Sequence, residues 1–376
     1  CGDFLAVNPE KMPRGTPDAP FNLTKIDCGE FGTLYDLGSG LMSSDSSFVW
    51  ISNRKVVFRG INGRPDPANT LKNWKDASYS RLYLWDIDQG VSEYKPYKHL
   101  RSNYCISPKR SRFVVSIYSD TGEFLGNEAI EVVGNVETRT RLKNVDYKTT
   151  LWNEFSCQFE ERPSRKSKHP HWTRLAEEHG YLAMSGVLQE TWDAYRQWDA
   201  YRQVWFVNND RSIDQLLPFL TESIGGPHAG YYAFKGAYFL YEPWTDQKLW
   251  EKTNCHPYYW LWPDGKIEKG CIPAGGLWTG EDYIRVFPVK TGLIVVVEDI
   301  FSPEIAGIYL VSDDKSARLL KGHIRYFFVS ATGSVSPDGC RVAFGYAPSY
   351  LASRYNGSGP STVRIFDACE IGGAPQ

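Results

Sequence analysis

A two-part unit recurs six times along the 376 residues, and no other feature restricts the fold as strongly. The first part is a turn running into a β-rich stretch. Examples are Ser43–Ser47 before Phe48-Val49-Trp50-Ile51, and Ser107-Pro108-Lys109-Arg110-Ser111 before Arg112-Phe113-Val114-Val115. Further copies begin Tyr181-Leu182-Ala183-Met184, Ala237-Tyr238-Phe239-Leu240 and Leu293–Val297, and the sixth is Ser336-Pro337-Asp338-Gly339 before Cys340–Phe344. The second part is an aromatic and β-branched stretch, a polar turn and a more polar stretch, as in Leu82–Ile87 then Asp88-Gln89-Gly90, or Gly307–Val311 then Ser312-Asp313-Asp314.

The second parts centre on Leu84, Glu131, Phe206, Trp260, Tyr309 and Ile365, at intervals of 47, 75, 54, 49 and 56 residues. Short alternating apolar runs bounded by Gly, Pro, Asp and Ser predict antiparallel strands, four to a repeat, rather than helices. Four-stranded repeats of this length predict an all-β chain folded as a six-bladed β-propeller, with seven blades if the 75-residue interval hides a degenerate copy. Residues 21–376 form its single domain, and residues 1–20, with Pro9, Pro13, Pro17 and Pro20, read as a tether. The sixth copy ends too early for its fourth strand, so the N-terminal stretch Phe21–Asp27 is expected to close the last blade.

That closure would bring Cys28 beside Cys369 and predicts a disulfide between them. Cys255 and Cys271 flank the turn Trp262-Pro263-Asp264-Gly265-Lys266, their midpoint falls on Pro263, and a bridge across that hairpin is the other expected pair. Partners for Cys105, Cys157 and Cys340 stay open. Eight cysteines suit an oxidising compartment.

The Ser-Pro-Asp-Gly turn at 336–339 with Val342-Ala343-Phe344, and its partners Ile308-Tyr309-Leu310 and Val363–Asp367, resembles the TolB-like and WD-repeat-like propellers. The resemblance implies a fold and a tendency to bind proteins, and carries no catalytic residues. The opening Cys1-Gly2-Asp3 resembles a mature bacterial lipoprotein, which implies a lipid anchor on Cys1 and a place in the cell envelope, periplasmic or at the outer membrane. The sequons Asn22-Leu23-Thr24 and Asn356-Gly357-Ser358 leave a secreted glycoprotein as the alternative.

The function expected is a protein-binding or scaffold subunit of a membrane-associated assembly. A net charge of −2 gives no basic field for nucleic acid, and neither a cofactor nor a metal is expected. The alternative is a lactonase- or glycosidase-like propeller hydrolase whose residues converge on a central channel without a contiguous motif. Gly225-Gly226-Pro227-His228 lacks the Gly-x-Ser-x-Gly elbow of a serine hydrolase, and His169 with His171 alone is a weak metal pair. Binding is assigned to two insertions. One is the tandem hexapeptide Trp192–Gln197 and Trp198–Gln203, with Trp192, Tyr195, Arg196, Trp198, Tyr201 and Arg202 as anchors and a helix expected over Leu188–Asp199. The other is the basic stretch Arg162–Arg174, with Arg165, Lys166 and Lys168, suited to an acidic partner.

Overall fold

The structure, a computed structural model, describes residues 24–37, 41–42, 48–61, 80–94, 97–102, 111–119, 121, 123–133, 136–142, 150–153, 158–161, 171–173, 181–186, 201–206, 211–212, 228–241, 255–262, 266–273, 283–298, 307–312, 315–321, 335–346 and 362–371. They are almost entirely antiparallel strands, with one 3-10 turn at Gly29–Phe31, and none forms a helix long and apolar enough to cross a membrane. The chain divides into two compact units, Cys1–Ser102, Phe113–Leu142 and Glu281–Gln376 in one, Asn103–Arg112 and Lys143–Gly280 in the other.

The first unit holds four sheets. Strands β1 (Thr24–Asp27) and β2 (Thr33–Asp36) form an N-terminal hairpin; β3 (Leu41–Met42), β4 (Phe48–Trp50), β5 (Lys55–Ile61), β6 (Ser80–Asp86) and β7 (Gly90–Glu93) make a five-stranded sheet; β8 (Tyr97–Ser102), β9 (Ser111–Tyr118), β10 (Phe124–Val133) and β11 (Val136–Leu142) make the next. The second unit supplies the hairpin β12 (Thr150–Asn153) and β13 (Gln158–Glu161). It also has the sheet β14 (His171–Thr173), β15 (Tyr181–Gly186), β16 (Tyr201–Phe206) and β17 (Arg211–Ser212), and the sheet β18 (His228–Tyr232), β19 (Ala237–Tyr241), β20 (Cys255–Leu261) and β21 (Ile267–Pro273). Returning to the first unit, β22 (Tyr283–Val289), β23 (Gly292–Glu298), β24 (Gly307–Ser312) and β25 (Lys315–Lys321) form one sheet, and β26 (Arg341–Tyr346) with β27 (Thr362–Asp367) joins the N-terminal hairpin.

Every predicted second-part centre lies inside a strand, and the sheets β8–β11, β14–β17, β18–β21 and β22–β25 are meanders whose neighbours in sequence are neighbours in the sheet. The long interval carries the extra hairpin β12–β13. Copy one is offset by a strand from its predicted alignment: β6 pairs with β5, not with the stretch at Phe48, which pairs on the far side of β5. The turn equivalent to Ser-Pro-Asp-Gly there is thus Ser52-Asn53-Arg54, where Ile51 N–H and Ser52 N–H both donate to Lys55 O. Phe48, Phe58 and Tyr83 stand opposite one another across the three strands, with centroids 6.4 and 5.7 Å apart.

Successive side chains of a strand point to opposite faces, so an unbroken run of buried residues means both faces are covered. Leu293–Val296 of β23, Gly307–Val311 of β24, Arg341–Phe344 of β26 and Val363–Asp367 of β27 are such runs. Outward, burial fades. In the sheet β8–β11, Phe113–Ile117 are buried, β10 alternates over much of its length, and Val136–Arg141 of β11 are exposed throughout.

The first and last described strands share one sheet, in the order β1-β2-β27-β26. The strand beside β27 is Thr33–Asp36, and Thr24–Asp27 lies one position further out, so the closing strand is the second of the hairpin and not the expected Phe21–Asp27. The reason is burial. All four residues of β2 are buried, whereas in β1 Ile26 is buried between the exposed Lys25 and Asp27, the pattern of a half-covered outer strand. Asp36 stands opposite Arg364 and accepts from its Nε at 2.8 Å and Nη2 at 2.6 Å, an ion pair with both side chains almost wholly buried. Leu37 N–H donates to Val363 O.

The predicted Ser336–Gly339 turn carries its own hydrogen bonds. Ser336 Oγ donates to Asp338 Oδ1 and accepts from Arg341 N–H, and Gly339, at φ +72°, closes the turn with its N–H on Ser336 O. Arg341 then spans Asp338, the Asn53 carbonyl and the buried Asp367, whose carboxyl burial pushes upward against the pull of Arg341 and the N–H groups of Cys369 and Glu370. Glu370 accepts from Lys25 and from the Tyr35 hydroxyl. Burial alone would raise its pKa, but these bonds hold it below the usual carboxylate range.

The Cys369 expectation is corrected here. Cys369 is bridged to Cys340, Cα atoms 5.3 Å apart, because the antiparallel hairpin β26–β27 sets Arg341 opposite Asp367 and Ala368 N–H on Cys340 O, which leaves Cys369 diagonal to Cys340 at the hairpin's end. Cys28 is in a disulfide of its own, and no cysteine is free among the described residues. Cys271 is also disulfide-bonded. Its hairpin pairs Leu261 with Ile267, so the register centres on Asp264 rather than Pro263. Cys255 therefore faces Pro273 and Cys271 faces Pro257, diagonal rather than opposite; the Cys255 side chain lies outside the described residues.

Gly32 decides how closely the terminal hairpin approaches β27. It sits at φ +132°, and a Cβ there would overlap the Asp367 carbonyl and crowd the Phe366 ring. Gly32→Ala is expected to destabilise the first unit by about 2–4 kcal/mol, read as an earlier denaturation midpoint. An unchanged midpoint would show that β2 approaches β27 differently.

Candidate functional site

In the second unit, two hairpin turns come together at one end of the sheet β18–β21. The first, Ala233-Phe234-Lys235-Gly236, is closed by Lys235 N–H and Gly236 N–H on Tyr232 O at 3.1 and 3.0 Å, with Gly236 at φ +63°. The second is pinned by Trp262 N–H on Lys266 O at 2.9 Å. The β19–β20 register, Phe239 opposite Trp260 and Tyr238 opposite Leu261, brings both turns to the same end.

Beneath them runs a chain of rings. Phe239, fully buried, meets Trp260 edge-on at 5.0 Å and lies 5.5 Å from Tyr258; Tyr232 contacts Phe239, Trp260 and Phe234, all edge-on and about 6 Å between centroids. The chain surfaces at the half-buried Phe234, and Trp262, also half-buried, is linked to it through Lys235, which stands over both Trp260 and Trp262. Over them stand two exposed lysines. Lys266 Nζ is 4.7 Å from the Trp262 ring centroid, and Lys235 Nζ is 5.5 Å from Trp260 and 6.0 Å from Trp262. A partly buried indole beside a buried aromatic cluster, with two ammonium groups over it, offers an apolar contact with positive charge at its rim. Such a platform suits a partner surface that offers apolar side chains next to carboxylates. At the far end of β19, Tyr241 is wholly buried, and desolvation pushes its phenol far up, which leaves it neutral.

Of the anchors expected from sequence, Trp192, Tyr195, Arg196 and Trp198, with the helix over Leu188–Asp199, lie outside the described residues, as do Arg165, Lys166, Lys168 and Cys1. Tyr201 and Arg202 are placed, and their expected loop setting is corrected: they open β16, opposite Gly186 and Ser185 of β15. The second hexapeptide runs into Tyr-Arg-Gln-Val-Trp-Phe, whose β-branched and aromatic residues favour a strand. His171 opens β14 and His228 opens β18. Among the described residues, no three of His, Cys, Asp and Glu come together as a metal-holding group. From the sequence, Trp262–Lys266 and Phe234-Lys235-Gly236 read only as turns, with Tyr258–Trp262 as a strand. The signal available was an aromatic–lysine pairing in two turns of one repeat.

No family model matches the sequence, and no curated protein matches it. Among solved structures, the chain is similar to one in the mitotic checkpoint complex, at 11% identity and a TM-score of 0.36 over 92% of each chain. It is also similar to the acylaminoacyl peptidase of Pyrococcus horikoshii, at 13% identity and 0.34 over 79% of this chain and 52% of that one. A Dyadobacter fermentans protein of unknown function matches at 10% identity and 0.38 over 92% of this chain and 99% of the other. Likenesses this distant carry no functional argument.

Proposed function

We propose that this chain is an extracytoplasmic β-propeller that serves as a protein-binding subunit and engages an acidic partner through the platform at Trp262. The observation carrying the reading is the partly buried Trp262 ring with Lys235 and Lys266 over it, Lys235 also standing over Trp260 of the buried ring cluster. Three further features support the propeller: four of the sheets are four-stranded antiparallel meanders, burial fades from inner to outer strands, and the first and last described strands share a sheet. The disulfides at Cys28, Cys271, Cys340 and Cys369 support an oxidising compartment. The inserted segments around Trp192–Trp198 and Arg165–Lys168 are proposed as additional contacts, since strands consumed by packing leave recognition to loops.

Interface anchors of this kind lose about 2 kcal/mol or more on truncation, roughly thirtyfold in affinity. Trp262→Ala is therefore expected to release partners that cross-link to the intact chain, and Lys235→Glu with Lys266→Glu is expected to do the same with unchanged melting. Cross-linking and mass spectrometry on native material test this. An undiminished partner set in folded variants would place the binding surface elsewhere.

A further inference from the structure

Among the described residues, the sheet β8–β11 ends in β11, with no strand paired beyond it. Proteins commonly protect edge strands with charged side chains, above all Lys, with Pro, a bulge or very short length, and of these β11 has only the charges of Glu137, Arg139 and Arg141. Strand β11, Val136-Glu137-Thr138-Arg139-Thr140-Arg141-Leu142, has no Lys or Pro. It pairs with β10 in unbroken register from Asn127–Leu142 to Val133–Val136, whereas the opposite edge strand, β8, is interrupted twice. Residues 136–141 are all exposed, and at the hairpin tip Val133 and Val136 are 53% and 67% exposed.

We infer that β11 pairs antiparallel with β11 of a second copy of this chain, forming a two-fold dimer about Arg139. The sequence of the strand is complementary to itself in that register. Val136 meets Leu142 of the second copy, Glu137 meets Arg141, and Thr138 meets Thr140, each occurring twice by symmetry. Directly opposed side chains share a face, and apolar, β-branched and opposite-charge pairs all favour the ladder. Arg139 meets its own copy at the axis, the one like-charge pair. Each Arg139 is drawn aside by Glu137 at 2.5 Å and by the Tyr94 ring, 5.9 Å from its guanidinium. Arg141 is held in place by the Leu125 carbonyl and by Glu128 at 3.9 Å. A second copy fits better than an arbitrary peptide because both ends and both charges of the strand find their complement at once. An interface of one strand is small, so reversible association at the weak end of the specific range is expected.

Sedimentation velocity of the full chain over a concentration series tests it. The intact chain is expected to show a monomer–dimer equilibrium. Glu137→Lys and Arg141→Glu each place like charges opposite one another twice and are expected to raise the dissociation constant about tenfold. The double variant restores both pairs in reversed polarity and is expected to recover association, and Arg139→Thr is expected to tighten it. Thermal melting confirms that each variant is folded, and either folded single variant suffices with the double. A chain that stays monomeric at the highest soluble concentration, or a dimer indifferent to the single reversals, would overturn the inference.

Discussion

Asp36→Ala is expected to lower the stability of the first unit by about 3–5 kcal/mol, since it leaves the Arg364 guanidinium buried without its carboxylate. Arg364 and Asp36 are 2% and 5% exposed, and the two charges sit directly opposite each other on β27 and β2, in the sheet that the first and last described strands share. In a melting experiment the loss corresponds to about 10 °C. Burial shields the pair from ions, so the loss should persist in high salt, unlike that of a surface bridge. Replacing both, as Asp36→Leu with Arg364→Met, removes the charge and its desolvation cost together and should recover most of the stability. A single variant that melts like the parent would mean that the terminal hairpin does not hold the unit together.

The second large effect concerns the Cys340–Cys369 bridge. It closes a loop of 29 residues, and the chain-entropy model assigns such a loop about 3–4 kcal/mol. Its removal should do more than lower the midpoint. Glu370, the next residue, accepts from Lys25 and Tyr35 of the N-terminal hairpin, and its carbonyl accepts from Thr33 Oγ1 at 2.9 Å. Cys340→Ser with Cys369→Ser is thus expected to speed amide exchange at Thr33–Asp36 before it affects β23 and β24, whose buried runs lie in another sheet. Uniform exchange across the unit would show that the bridge acts only through the unfolded chain.

The strands themselves were legible in the sequence. Alternation between apolar and polar residues is a local property, set by the two-residue period of a strand, and Leu84, Glu131, Phe206, Trp260, Tyr309 and Ile365 all fell within strands. The Ser336–Gly339 turn was legible for the same reason, since its bonds join residues no more than five apart. Tertiary structure alone decided what depended on choosing between distant partners. Thr24–Asp27 and Thr33–Asp36 are both plausible closing strands by composition. Only the second buries all four residues and offers a carboxylate to Arg364. The bridge of Cys369 to Cys340 instead of Cys28 followed from the β26–β27 register. The platform at Trp262 arose because the β19–β20 pairing set two turns, 26 residues apart in the names Gly236 and Trp262, at one end of a sheet. Ring closure over a long chain costs little more than over a short one, so sequence separation does not rank these partners; burial and charge matching do.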